Sequence, residues 1–187
     1  WAKRAFLCAL GLCFAFGYNT LYAHFIKAPN DALLGTQDTV EVELLGYAEE
    51  TSHGAKVTVK ILNRGLPGRA IYYGDADLMD LEPGAHVTAE ALFNSATDPT
   101  GKGLHLRNFT AKGVYILLYQ RGDPTYDDTN AGALKYLPER IARTLGETIE
   151  RSYSERDGAF LRALLLGDKK YLDEEDASNL SEVGLSH

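Results

Sequence analysis

At 187 residues the chain can hold one domain of ordinary size, or a smaller one with attachments. Its formal net charge of −7 is unevenly spread: residues 1–36 carry +2, residues 37–130 carry −6 and residues 131–187 carry −3. Proteins that track phosphates present a basic face, so the acidic middle argues against strong independent affinity for nucleic acid while leaving room for a local basic stripe. The two cysteines, Cys8 and Cys13, are five residues apart in one apolar run, on different faces of a helix and too distant for a disulfide. An exported domain of this chain therefore relies on its own core.

The chain opens with an apolar segment. Residues 5–18 are uncharged, and Lys27 closes the run after Asn19, Thr20 and His24. Twenty-two helical residues, Ala5 to Ile26, span roughly 33 Å, close to the ~30 Å of a bilayer core. Lys3 and Arg4 precede the run and place that end in the cytoplasm by the positive-inside tendency, with Tyr18 and Tyr22 suited to the outer interface. The expectation is a transmembrane helix over residues 1–27. A signal peptide cut near Ala23 is the competing reading, and Leu21 fits its small-residue rule poorly. In either case the next domain is exported.

Residues 28–36, with Pro29, Asn30, Asp31 and Gly35, read as a linker. From Asp38 the period becomes two. Val40, Val42 and Leu44 alternate with Glu41 and Glu43, and Val57, Val59 and Ile61 alternate with Thr58 and Lys60, so the two runs pair as an antiparallel hairpin across a polar loop. Further strands are expected at 69–73, at 86–93 and at 114–119, the last apolar enough to be covered on both sides, with a helical turn near 104–111. Five short strands joined by Gly/Pro turns suggest a small barrel of the OB type over residues 37–122. Residues 123–136, which open Asp-Pro-Thr-Tyr-Asp-Asp-Thr-Asn, read as a second linker.

From residue 137 to 187 the period is helical. Leu137, Ile141, Leu145, Ile149 and Tyr153 recur every four residues, with Pro138 in the first turn. A second helix over 158–166 stops at Gly167, and Asp173 with Asp176 caps a third. Phe160, Leu161, Leu164, Leu165 and Leu166 offer more apolar surface than a free appendage should, and are expected to lie along, or lead into, a membrane-embedded remainder.

No constellation for catalysis is present. The sequence lacks a Gly-x-Ser-x-Gly elbow, a phosphate-binding Gly-rich loop and HExxH, and Ser186-His187 are adjacent rather than facing. The five histidines (His24, His53, His86, His105, His187) have no metal-ligand spacing, so no metal or cofactor is expected. Asp75, Asp77 and Asp80 suggest part of a calcium loop, yet its Gly and closing Glu are missing, which leaves a solvated turn. For single-stranded DNA, an OB barrel uses aromatic stacking and a basic groove on its strand 2–3 face. Lys56, Lys60, Arg64, Arg69 and Tyr73 are the candidates; alternation sends either Tyr72 or Tyr73 inward, so at most one can stack on a base. A merely solvated face of the second strand is the alternative for the cations.

One stretch carries a specific resemblance. Leu164-Leu165-Leu166-Gly167-Asp168-Lys169, an acidic helix, then Gly184-Leu185-Ser186-His187 resembles the opening of the competence domain in the ComEC family of bacterial DNA-uptake channel proteins. Upstream, Leu81-Glu82-Pro83-Gly84-Ala85-His86-Val87 looks like that family's Pro-Gly turn into a strand of its small extracytoplasmic domain. Residues 103–114 lack the family's usual aromatic-acidic wording and match by position alone. Trp1 in place of Met, and an uncapped Gly-Leu-Ser-His end, suggest a piece of a longer chain. The resemblance implies a non-catalytic accessory near the mouth of a channel that carries single-stranded transforming DNA across the bacterial cytoplasmic membrane, with the barrel on the extracytoplasmic side. Its partners would be single-stranded DNA, membrane lipid and other competence-machinery proteins, and self-association into a homo-oligomer stays open. Some family members also carry a metallo-β-lactamase-like domain, no part of which is in this chain. A membrane-anchored OB module that binds a protein or glycan partner is the alternative.

Overall fold

A computed structural model describes residues 2–96, 109, 112–128, 133–168 and 171–182. The chain divides into two compact units, residues 1–133 and 134–187.

The first unit begins with helix α1, Ala2–Tyr22, which continues through a π-helical turn, Ala23–Lys27, into a short helix α2, Ala28–Asp31. Phe6–Asp31 is long and apolar enough to cross a membrane, and none of its apolar window is buried inside the protein. Twenty-six residues rise about 39 Å as a helix, more than a bilayer core needs. Cys8 and Cys13 are both free and exposed on it.

Strands β1 (Gln37–Leu44), β2 (Glu49–Thr51), β3 (Gly54–Ile61), β4 (Arg69–Gly74), β5 (His86–Ser95) and β6 (Val114–Asp127) follow. They form one sheet in the order β1-β5-β6-β4-β3-β2, and a further antiparallel pairing of β1 with β3 closes five of them into a ring. The β4–β6 pair is parallel and the other pairs are antiparallel. This is an OB-type barrel with β2 added at the side. Alternation supplies the interior: Val40, Val42 and Leu44 from β1, Val57, Val59 and Ile61 from β3, Tyr72 from β4, Val87 and Phe93 from β5, and Ile116 and Leu118 from β6 all sit in one buried cluster. The expected β1–β3 hairpin partners are in register, with Val42 opposite Ile61 and Leu44 opposite Val59.

β6 is covered on both sides. While Ile116 and Leu118 face the barrel interior, Val114 and Leu117 join Ile71 and Ala96 in a second buried cluster on the outside of the sheet, against Tyr73, Tyr119 and Phe109. The helical turn expected over 104–111 lies outside the described residues except at Phe109, which is helical.

Two stretches expected as linkers are built into the fold. Within residues 28–36, Pro29 sits in the first turn of α2, where its missing N–H removes no helical bond, and Asn30 is buried with its amide donating to the Ile26 carbonyl at 2.6 Å. Leu33 packs on the barrel core, and Gly35 N–H and Phe93 N–H exchange bonds with Phe93 O and Thr36 O. Downstream, β6 runs past residue 122 to Asp127 and keeps pairing with β5, Thr88 opposite Thr125 and His86 opposite Asp127. The register shifts between Thr88 and Glu90, and this irregularity takes up the Gly-Asp-Pro sequence that reads as a turn. β2, which has no alternating pattern, pairs with the start of β3.

In the second unit a 3₁₀ turn, Leu134–Tyr136, leads into α3 (Leu137–Ser152), α4 (Glu155–Leu166) and α5 (Glu174–Glu182). α4 begins three residues before the expected Gly158 because Ser154 caps it, its side chain accepting from Asp157 N–H at 3.3 Å. It ends on Gly167 in the left-handed conformation at φ 70°. Asp173 likewise accepts from Asp176 N–H, at 2.7 Å, ahead of α5. Ile149 of α3 is buried, as are Gly158, Ala159 and Ala163 of α4. Arg162 ties the unit together: it pairs with Glu150, reaches Asp168 at 2.8 Å, and lies over the Tyr171 ring at 4.6 Å. Phe160, Leu164 and Leu165 stay exposed.

Candidate nucleic-acid groove

The outward side chains of β3 and β4 form the face that OB barrels use for oligonucleotides and oligosaccharides. Alternation puts Lys56, Thr58 and Lys60 there from β3, and Arg69, Ile71 and Tyr73 from β4. Tyr72 turns inward and is fully buried, so Tyr73 is the outward member of the pair.

A groove of about 210 Å³ runs along this face. Among the described residues Lys56, Arg69 and Lys112 line it, with the acid Glu49 and with Tyr47 and Phe109 as aromatic walls. It is a local positive strip on an acidic barrel, and the parallel β4–β6 pairing creates it by bringing the start of β6 beside Arg69, with Arg69 opposite Val114. Glu49 holds Lys56 at 3.2 Å across the β2–β3 register. Both side chains are close to half exposed, so the pair is weak and a phosphate can displace the carboxylate. Tyr47 is anchored by donating its hydroxyl hydrogen to Glu82 at 2.7 Å.

The five sequence candidates separate. Lys56 and Arg69 line the groove. Tyr73 stands next to Lys56 in register, and its ring stacks on Tyr119 with centroids 4.9 Å apart and planes 8° apart. One ring face is thus already occupied, and burial, followed by the neighbouring Tyr119, raises the Tyr73 phenol above its ordinary range. Lys60 is exposed opposite Glu43 and is not a wall of the groove. Arg64 lies in the β3–β4 turn, pairs with Asp38 and sits 5.9 Å from the Phe93 ring centroid. Its hydrogen bond, followed by that of the Thr39 N–H, holds the Asp38 carboxyl below the usual carboxylate range. That cation fastens the turn to β1.

Lys112, Phe109 and Tyr47 were not among the sequence candidates. Lys112 and Phe109 stand close together just before the last strand, but only the barrel's closure brings them to Lys56. Beyond Tyr73 a second, wider cleft of about 540 Å³ opens at the hairpin end, lined by Thr51, Ser52, His53, Tyr119, Gln120 and Arg121 among others. Asp75, Asp77 and Asp80 fall on and beside a 3₁₀ turn, Ala76–Asp80, and Asp75 is engaged by Gln120 Nε2 at 2.5 Å. Among the described residues no group of three or more His, Cys, Asp or Glu side chains is placed to hold a metal ion.

No family model matches the chain, and no curated protein matches it. Among solved structures it is similar to one provisionally assigned as an aspartyl-tRNA synthetase from Leishmania major Friedlin, at 13% identity and a TM-score of 0.32. That match covers 73% of this chain and 30% of the other, so the chain spans less than a third of that protein. Likeness at this level carries no functional argument.

Proposed function

We propose that this chain is a membrane-anchored piece of a ComEC-like DNA-uptake channel protein, and that its barrel is a non-catalytic extracytoplasmic accessory guiding the backbone of single-stranded DNA at the channel mouth. The observation that carries the DNA role is the groove of Lys56, Arg69 and Lys112 on the ligand face of an OB barrel. A bilayer-length helix at the start of the same chain, and the exposed Phe160, Leu164 and Leu165 near the competence-domain-like motif, support the membrane setting. A few cations on an acidic body, Lys56, Arg69 and Lys112 among the described residues, give a weak, salt-sensitive hold, which suits a strand that must keep moving.

The test is the affinity of the full chain in detergent for a labelled single-stranded oligonucleotide at low salt. Replacing Lys56, Arg69 and Lys112 together by glutamate should abolish binding; unchanged affinity sinks the DNA role. The alternative, an anchored OB module for a protein or glycan, is favoured by the acidic balance of the barrel and by the wide cleft beside Tyr73 and Tyr119. Glycan binding that survives the triple substitution, with no DNA binding by the unaltered chain, would select it.

A further inference from the structure

The end of the helix is fastened to the barrel rather than strung from it. Tyr22 meets Tyr115 of β6 edge-on, with centroids 6.2 Å apart, and Tyr18 stacks on Tyr22 from the preceding turn. Asn30 is buried beside Leu66, Pro67 and Gly68 of the β3–β4 turn, and Leu33, half-buried, packs against the barrel core. Gly68 takes φ 100°, and a Cβ there would stand 2.8 Å from the Tyr115 ring, so turn, strand and helix end are closely fitted.

All these contacts fall at one end of the barrel, where β3 finishes and β4 and β6 begin. The β2–β3 hairpin tip, Ser52-His53, lies at the other end of β3. Eight residues of strand separate the two ends by about 26 Å. The groove follows the same axis: Arg69, which lines it, also borders the pocket beside Asn30, while Lys56, which lines it too, stands in register beside Tyr73 of the wider cleft.

Resting on the reading that the helix spans a bilayer, we propose that these contacts stand the barrel end-on upon the membrane. The β3–β4 turn then touches the phospholipid headgroups and the hairpin tip points away from them. Tyr18, Tyr22 and Tyr115 form the interfacial aromatic contact, and Lys27 reaches the phosphate layer from the helix end. The groove therefore runs across the gap between solution and lipid, with its Lys56 end, beside the wide cleft, outward and its Arg69 end at the membrane surface. A strand entering by the wide cleft would leave at the lipid.

The experiment uses the full chain with Cys8→Ser and Cys13→Ser, reconstituted in phosphatidylcholine vesicles and labelled with an environment-sensitive fluorophore at Pro67→Cys, Ser52→Cys or Leu12→Cys, all exposed positions. Nitroxide lipids carry the quencher in the headgroup or in the acyl chain. The expected result is acyl-chain quenching of the Leu12 label and headgroup quenching severalfold stronger at Pro67 than at Ser52. If Leu12 is quenched while Pro67 and Ser52 respond equally, or in reverse order, the end-on placement is overturned and the anchor stands. If Leu12 is not quenched, the anchor reading fails and takes this inference with it. A short Gly-Ser insertion between Lys27 and Ala28 should erase the Pro67–Ser52 contrast; a contrast that survives the insertion overturns the role given to the fitted helix end.

Discussion

Replacing Gly74 by alanine should destabilise the barrel far more than one methyl group suggests. Gly74 ends β4, and an added Cβ would run into Gln120 Oε1 and stand 2.8 Å from Tyr72 Cε1 and 2.9 Å from Leu78 Cδ1. Tyr72 and Leu78 are fully buried, so neither can swing aside cheaply. Gln120 is held in place by four hydrogen bonds: it accepts from Tyr72 Oη at 3.1 Å and from Asp75 N–H at 3.3 Å, and donates to Asp75 Oδ2 at 2.5 Å and to Gly122 O at 3.3 Å. Overpacking costs about 1–3 kcal/mol, and losing one or two of these bonds adds about 1 kcal/mol each. The sum, about 3 kcal/mol, is a large part of the 5–15 kcal/mol that ordinarily holds a domain folded. Urea titration of the full chain in mild detergent, followed by near-ultraviolet circular dichroism of the tyrosines, should show a lower midpoint with an unchanged slope. Gly46→Ala is the control, since a Cβ there meets nothing within 4 Å, and should stay within about 0.5 kcal/mol of the parent. A Gly74→Ala midpoint equally close to the parent would refute the argument.

Other outcomes follow from the same contacts. Burial above all, aided by Tyr126 and Asp75, pushes the Tyr72 phenol well above its ordinary value. Its contribution is complete below the unfolded phenol's pKa of about 10 and is lost as pH climbs toward the folded value. Stability should therefore fall above about pH 10, and Tyr72→Phe, about 1 kcal/mol weaker at neutral pH, should fall less steeply; parallel curves would contradict this. If three phosphates are engaged, the logarithm of oligonucleotide affinity should drop with the logarithm of salt at a slope of about −2, and Lys112→Ala should flatten it by about 0.7. An unaltered slope would remove Lys112 from the groove. Ser154→Ala should cost α4 about 1 kcal/mol, read as faster amide exchange over residues 155–166, and equal exchange rates would show that the cap is dispensable.

What could be read from the residues was whatever depends on period. Val40-Val42-Leu44 and Val57-Val59-Ile61 announce both their strands and their inward faces, because one side of each strand meets the core. β2 is invisible by that route, since Glu49-Glu50-Thr51 has no apolar partner to alternate with and exists only because β3 pairs with it. The packing of Asn30 and Leu33 on the barrel was hidden for a different reason. Its Pro, Asn and Asp look like breakers, and only packing against Leu66–Gly68 turns them into structure. Alternation demanded that Tyr72 and Tyr73 part, but which one goes inward depends on the register of β4 in the barrel. The groove was half legible: Lys56 and Arg69 are close in sequence, while Lys112 reaches them only through the parallel pairing.

That parallel pairing also dictates an order of events. Until β6 slides between β4 and β5 the ring has two raw edges. A polypeptide arriving from its N-terminal end would stay an open, sticky ribbon until residue 127 emerged. Closure is therefore late and depends on distant parts of the chain meeting, so chaperoning of the half-made sheet, more than the strength of the finished barrel, would govern how much of it survives.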